Sequence, residues 1–165
     1  MNNDLRVFYG WVRRSREILF GYCTSLPPEI YTQERPDFAF GSMRNLHAHV
    51  ADCYLWWVGT VGLGKPQAPI QGSEVPDVAA MRKVFAQADA VVEQALQTFN
   101  QLDQIYEWTH PRKGWKAKVS QRWLLLHPIT HEFHHKGQIT ALGRVLGHPA
   151  VLSPGVDTDL VNPEF

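Results

Sequence analysis

The sequence predicts an all-α fold, a four-helix bundle. Three observations point there. Four segments have helical length with apolar residues recurring every three or four positions, and two longer connections separate them. Residues that favour helix starts and stops stand at their ends. Acidic and basic residues number 16 each, hydrophobic residues make up 44 % and charged residues 19 %, a balance that suits a folded core. At 165 residues the chain is expected to form a single domain, 1–165.

The first helix is expected within 1–23, from about Asn3, with Leu5, Phe8, Val12, Leu19 and Tyr22 on one face. Pro27 and Pro28 stop it, and Glu29 to Phe40, with Pro36, reads as a loop. Ser42 is an N-cap for the second helix, 42–60, whose stripe is Leu46, Val50, Cys53 and Trp57. Gly62, Gly64, Pro66, Pro69 and Gly72 mark a long connection. Pro76 and Asp77 open the third helix, 76–102, with Met81, Phe85, Ala88, Val92, Ala95 and Phe99 facing inward. Asp103 to Lys118 fits a short hairpin or a plain loop around Pro111 and Gly114. The fourth helix, 120–146, ends at Gly147 and Pro149, and 147–165 reads as an extended tail.

Composition narrows the function. With charges cancelling and a pI of 7.1, a phosphate-backbone binder is disfavoured, so no nucleic-acid partner is expected. The cluster Arg112, Lys113, Lys116 and Lys118 reads as solvated surface. The two cysteines, Cys23 and Cys53, form no pairing motif, and Cys53 lies on an apolar face as a structural thiol. The first residues carry no secretory pattern and Val50 to Leu63 is too short to span a bilayer, so a cytoplasmic chain without membrane contact is expected.

The chemistry is concentrated in "LLLHPITHEFHHKGQI", Leu124 to Ile139, which holds four of the eight histidines. His127, His131 and His135 are four apart, so each lies about 40° from the next and all fall inside the apolar stripe. His134 falls at its rim. Imidazoles at i and i+4 on one helix can grip one divalent ion. Pro128 implies a kink or a distorted turn at His127, which leaves His131 and His135 as the pair. "SMRNLHAHVADCYLWW" on the second helix offers a third imidazole, His47 or His49, with the helical angles slightly favouring His49. Asp52 is placed to orient His49 or to lie on the surface, and Gln138 to bond His135 or to make a helix contact. Glu132, about 100° from His131, is expected to face away. Tyr54 and Trp57 read as core or pocket lining, and Gly137 and Gly143 as points of close helix packing.

These two stretches resemble the DinB/YfiT-like family. Leu46, His49, Val50 and Asp52 follow its first motif, and His131, His135, Lys136, Gly137, Gln138 and Ile139 its second. His47 departs from the pattern, standing where an apolar residue is usual. The resemblance implies a long crossover connection in the bundle, a homodimer, and a divalent metal, nickel or zinc, held by His49, His131 and His135. It also implies a small-molecule substrate and, from characterised relatives, thiol chemistry: S-transfer with bacillithiol or isomerisation with mycothiol, hence a low-molecular-weight thiol cosubstrate. Other members, named for DNA-damage induction, have no established activity. Three neutral imidazoles leave such an ion its full charge, which favours a thiolate or a hydroxide. A thiol S-transferase, a hydrolase and a non-catalytic metal-binding stress protein are therefore all expectations.

Overall fold

The computed structural model describes residues 3–111, 113–150 and 160. It is mostly helical, in the order α1 (Asn3–Ser25), α2 (Pro28–Thr32), α3 (Met43–Tyr54), α4 (Val78–Thr98), β1 (Tyr106–Thr109), β2 (Lys116–Val119) and α5 (Gln121–Val145). Side chains from α1, α3, α4 and α5 share one apolar core. There α3 packs against both α4 and α5, and α1 packs against α4.

Three of the helix starts have the same cause. The side chains of Ser42, Asp77 and Ser120 accept from the backbone N–H of Asn45, Ala80 and Trp123, three residues on, and satisfy donors that the helix itself leaves free. The region expected to be a loop after Pro28 holds one helical turn, α2, because proline at its start is preset for helix. Beyond Tyr54 the second helix continues through Leu55–Gly62 in a wider π winding, closed by Leu63 N–H donating to Val58 O at 2.9 Å. The third helix is shorter than expected. Phe99 turns to extended backbone while its ring stays buried, and the chain bends toward α5, where Arg122 N–H donates to Leu102 O.

Of the two readings of 103–118, the hairpin is the one formed, antiparallel with Tyr106 opposite Val119 and Thr109 opposite Lys116. Pro128 leaves α5 unbroken and is itself buried; the Thr130 hydroxyl donates to His127 O beside it at 2.9 Å. The helix closes at Gly147 (φ 85°), with His148 N–H donating to Gly143 O. Gly143 is required by packing, since a Cβ there would lie 1.7 Å from the Tyr22 hydroxyl, which donates to His148 O. At Gly137 a Cβ would meet nothing, so close packing is not the reason for that glycine. Most of the expected tail, 151–159 and 161–165, lies outside the described residues.

Buried polar groups tie α1 to α5. Arg16 is 3 % exposed and donates through Nε and Nη2 to the two carboxylate oxygens of Glu132, at 2.7 and 3.1 Å. Its Nη1 donates to Asp89 on α4 at 2.6 Å. Tyr54 on α3 donates to Glu132 at 2.7 Å, and Tyr9 to Asp89 at 2.6 Å. Glu132 therefore faces inward, contrary to expectation: its carboxylate is paired with a guanidinium that occupies the apolar face of α1. Lys136 is also buried and donates to Ser15 Oγ at 2.8 Å.

Two further groups are buried without charge. His47 sits between the rings of Phe20 (4.9 Å) and Phe85 (6.1 Å), with Nδ1 3.2 Å from the Tyr31 hydroxyl. Its Nε2 is the one buried side-chain polar atom without a hydrogen-bond partner among the described residues. Burial, and after it the Arg16 charge, push its pKa down to about 3. Both cysteines are buried; burial raises the Cys53 thiol to about 12 and moves Cys23 upward too.

Glu132→Ala is expected to cost about 3–5 kcal/mol in urea unfolding, because it strands a buried guanidinium. The double change Arg16→Met with Glu132→Leu should cost less than the single one, having removed both charges. Acid is expected to weaken the fold through His47. The unfolded chain binds a proton at His47 near pH 6.5, whereas the folded chain stays neutral there down to about pH 3. Its contribution is thus present above pH 6.5 and is lost as pH falls through that window, at about 1.4 kcal/mol per pH unit. In His47→Leu the urea midpoint should fall less between pH 7.5 and pH 5 than in the wild type.

Candidate metal centre

Two helices supply the site. The Ser42 cap fixes the register of α3, so that Leu46 and Val50 enter the core and His49 stands half-buried at its edge, facing α5. On α5 the anchored Glu132 sets the rotation, and the residue before it, His131, is turned about 100° toward α3. His135 follows one turn later on the same side.

The three rings converge. His131 Nε2 lies 2.8 Å from His49 Nε2 and 3.0 Å from His135 Nε2. The rings stand edge-to-face, with His49 and His135 at 88° and His131 and His135 at 83°. One ligand nitrogen from each lies within 4.8 Å of the others. His135 Nδ1 donates to Gln138 Oε1 at 2.6 Å, which puts the ring's single neutral-state proton on Nδ1 and presents Nε2 as a lone pair. Three such nitrogens cannot satisfy one another as donors and acceptors. Imidazole nitrogens bind divalent ions at about 2.0–2.1 Å, so two on one ion at right angles stand about 3 Å apart. The donor set therefore fits a divalent cation.

Electrostatics favour the ligand state. Burial, and then its histidine neighbours led by His135, hold His131 down at about 4. Burial lowers His49 and His135 as well, opposed at His49 by the Asp52 charge and at His135 by the Gln138 bond. All three are neutral at pH 7, as metal binding through nitrogen requires.

The remaining sequence-derived residues fall as follows. His47 is excluded from the cluster: its ring lies toward α1 and α4, on the other side of α3. His127 is also apart, its ring stacked on Trp123 at 4.5 Å and on His131 at 5.8 Å. His134 is exposed. Asp52 spends a carboxylate oxygen on the Ile70 N–H at 3.0 Å, so it anchors the connection between α3 and α4 rather than orienting the His49 ring. Tyr54 is wholly buried and belongs to the Glu132 network.

One residue escaped sequence reasoning. Phe40 lies over the cluster, stacked on His49 at 4.2 Å and edge-on to His135 at 5.4 Å, although it is 48 % exposed. Its φ of 58° is in the left-handed region, where a bulky residue is strained. Its carbonyl accepts from Asn45 Nδ2 at 2.9 Å, which holds the loop over the site. The only hint in the sequence was the position of Phe40-Gly41 immediately before the cap of the histidine-bearing helix.

No helix among the described residues is long and apolar enough to cross a membrane. No curated protein matches the chain. The family model for the DinB family matches residues 1–159, a span that takes in both histidine-bearing helices and the four long helices of the fold. With the fold, the histidine cluster and that match in agreement, the chain belongs to the DinB family.

Proposed function

We propose that this protein is a metal-dependent enzyme of the DinB family, holding nickel or zinc on His49, His131 and His135 and transferring a low-molecular-weight thiol to a small electrophile. The convergence of three neutral imidazole nitrogens on one point carries the proposal. The shared core of α1, α3, α4 and α5, with its long connection from Gly62 to Asp77, supports a four-helix bundle with a crossover. A cytoplasmic homodimer is part of the same proposal.

A divalent ion at this place would supply positive charge that stabilises a thiolate near neutral pH. The chain's own residues do the rest. His49, His131 and His135 contribute no negative charge, so the attraction for an anionic nucleophile is undiminished. Gln138 fixes the His135 tautomer and ring direction. Phe40 shields one side of His49 from water. In the overall transfer a C–S bond forms, the bond from carbon to the leaving group breaks, and the thiol proton and leaving group depart as acid. Cys23 and Cys53, buried and held protonated, take no part.

Elemental analysis of purified protein should give about one divalent ion per chain. His49→Ala and His131→Ala should each lose it, and His47→Leu should keep it. With bacillithiol and 1-chloro-2,4-dinitrobenzene, metal-loaded protein should release chloride faster than the thiol alone, and His131→Ala should not. Metal uptake that survives His131→Ala would refute the site; uptake without turnover of any thiol would refute the transferase.

A further inference from the structure

The metal cluster is one end of a longer file of rings. Trp123, His127 and His131 lie at i, i+4 and i+8 on α5, so the file rises about 12 Å along one face. The Trp123 and His127 rings are nearly parallel, 4.5 Å apart at 12°, and His127 continues onto His131 at 5.8 Å and 26°. The π winding beyond α3 brings Trp57 against this file from the side, edge-on to Trp123 (5.0 Å, 89°) and to His127 (5.5 Å, 82°). Trp115 from the hairpin braces Trp57 in turn.

Trp123 nonetheless remains 40 % exposed and Trp115 39 %. One face of the Trp123 indole is stacked on His127 and an edge is held by Trp57, so its solvent side is a flat apolar surface fixed in place. Pre-fixed aromatic faces bind flat rings at low entropic cost. Nearby charges are already matched: Lys116 with Glu107 at 2.6 Å, and Arg122 with Asp103 at 2.6 and 2.7 Å. The surroundings thus favour an uncharged ring over a phosphate or a carboxylate.

We infer that Trp123 and His127 form a platform for a planar, uncharged aromatic group of the substrate, whose reactive end reaches the three histidines. Its place in a reaction rests on the metal-enzyme proposal above; its capacity to bind a ring does not. The platform consists of the chain's own rings and is present without metal.

The test is a titration of the protein with 2-naphthol and with cyclohexanol, metal-free and with one equivalent of zinc, followed through indole N–H resonances in 1H–15N spectra. The expected result is saturable binding of 2-naphthol that shifts the Trp123 and Trp57 signals, at least about tenfold tighter than cyclohexanol, with or without zinc. Trp123→Ala should lose about tenfold and Trp123→Phe should keep most of the affinity. Trp123 is exposed, so neither change opens the core, and unaltered spectra elsewhere would verify that. Equal binding of the two alcohols, or undiminished 2-naphthol binding in Trp123→Ala, overturns the inference. Ring binding at Trp123 in a protein that takes up no zinc sustains the platform and sinks the metal enzyme; zinc uptake without ring preference sinks the platform alone.

Discussion

The architecture of the site depends on one buried ion pair. Arg16 and Glu132 meet with two parallel hydrogen bonds in a place where neither charge can reach water. Burying such a pair is rarely a net gain against apolar residues of the same size, but a misaligned or half-made pair is costly. The pair therefore discriminates among rotations of α5 more sharply than leucines would. Only one rotation brings Glu132 to Arg16 and to the Tyr54 hydroxyl together. In that rotation His131 and His135 face α3, and Lys136 reaches Ser15. A site that needs three nitrogens within a few ångströms is positioned by a lock formed next door in the sequence.

The interior is divided electrically. On the α1 and α4 side, full charges are matched one against another through Arg16, Glu132 and Asp89. On the α3 and α5 side the polar groups are imidazoles kept neutral by burial and by one another. His47 belongs to neither set. It is a histidine used as an aromatic core residue, and its orphaned Nε2 marks it as a poor fit to a wholly apolar surrounding.

Much of this was legible in the sequence. Serine and aspartate caps at 42, 77 and 120 carry their own chemistry, and the apolar period of each long helix names its inner face. The i, i+4 spacing placed His131 and His135 together because helix geometry leaves no choice. The misreadings share a cause: an inner face was defined by apolar residues alone. Glu132 was turned outward on that basis, and Arg16, four residues after Val12 and three before Leu19, passed unnoticed within the stripe of α1. Between His47 and His49 the sequence offered only a few degrees of difference. The decision came from Phe20 and Phe85, which enclose the first, and from α5, which faces the second. The widened winding after Tyr54, the early end of α4 and the placement of Phe40 follow from tertiary contacts that no local pattern encodes.

The burial of both cysteines bears on how the protein would live among reactive sulfur compounds. A protein that brings activated thiols and electrophiles together risks alkylating itself or being caught in a mixed disulfide. Sulfur attacks as the anion, and here each side chain that could do so is sealed in the core with that form suppressed. The polypeptide is thereby exempt from the reaction it is proposed to promote, and repeated turnover would leave no adduct on its own sulfur.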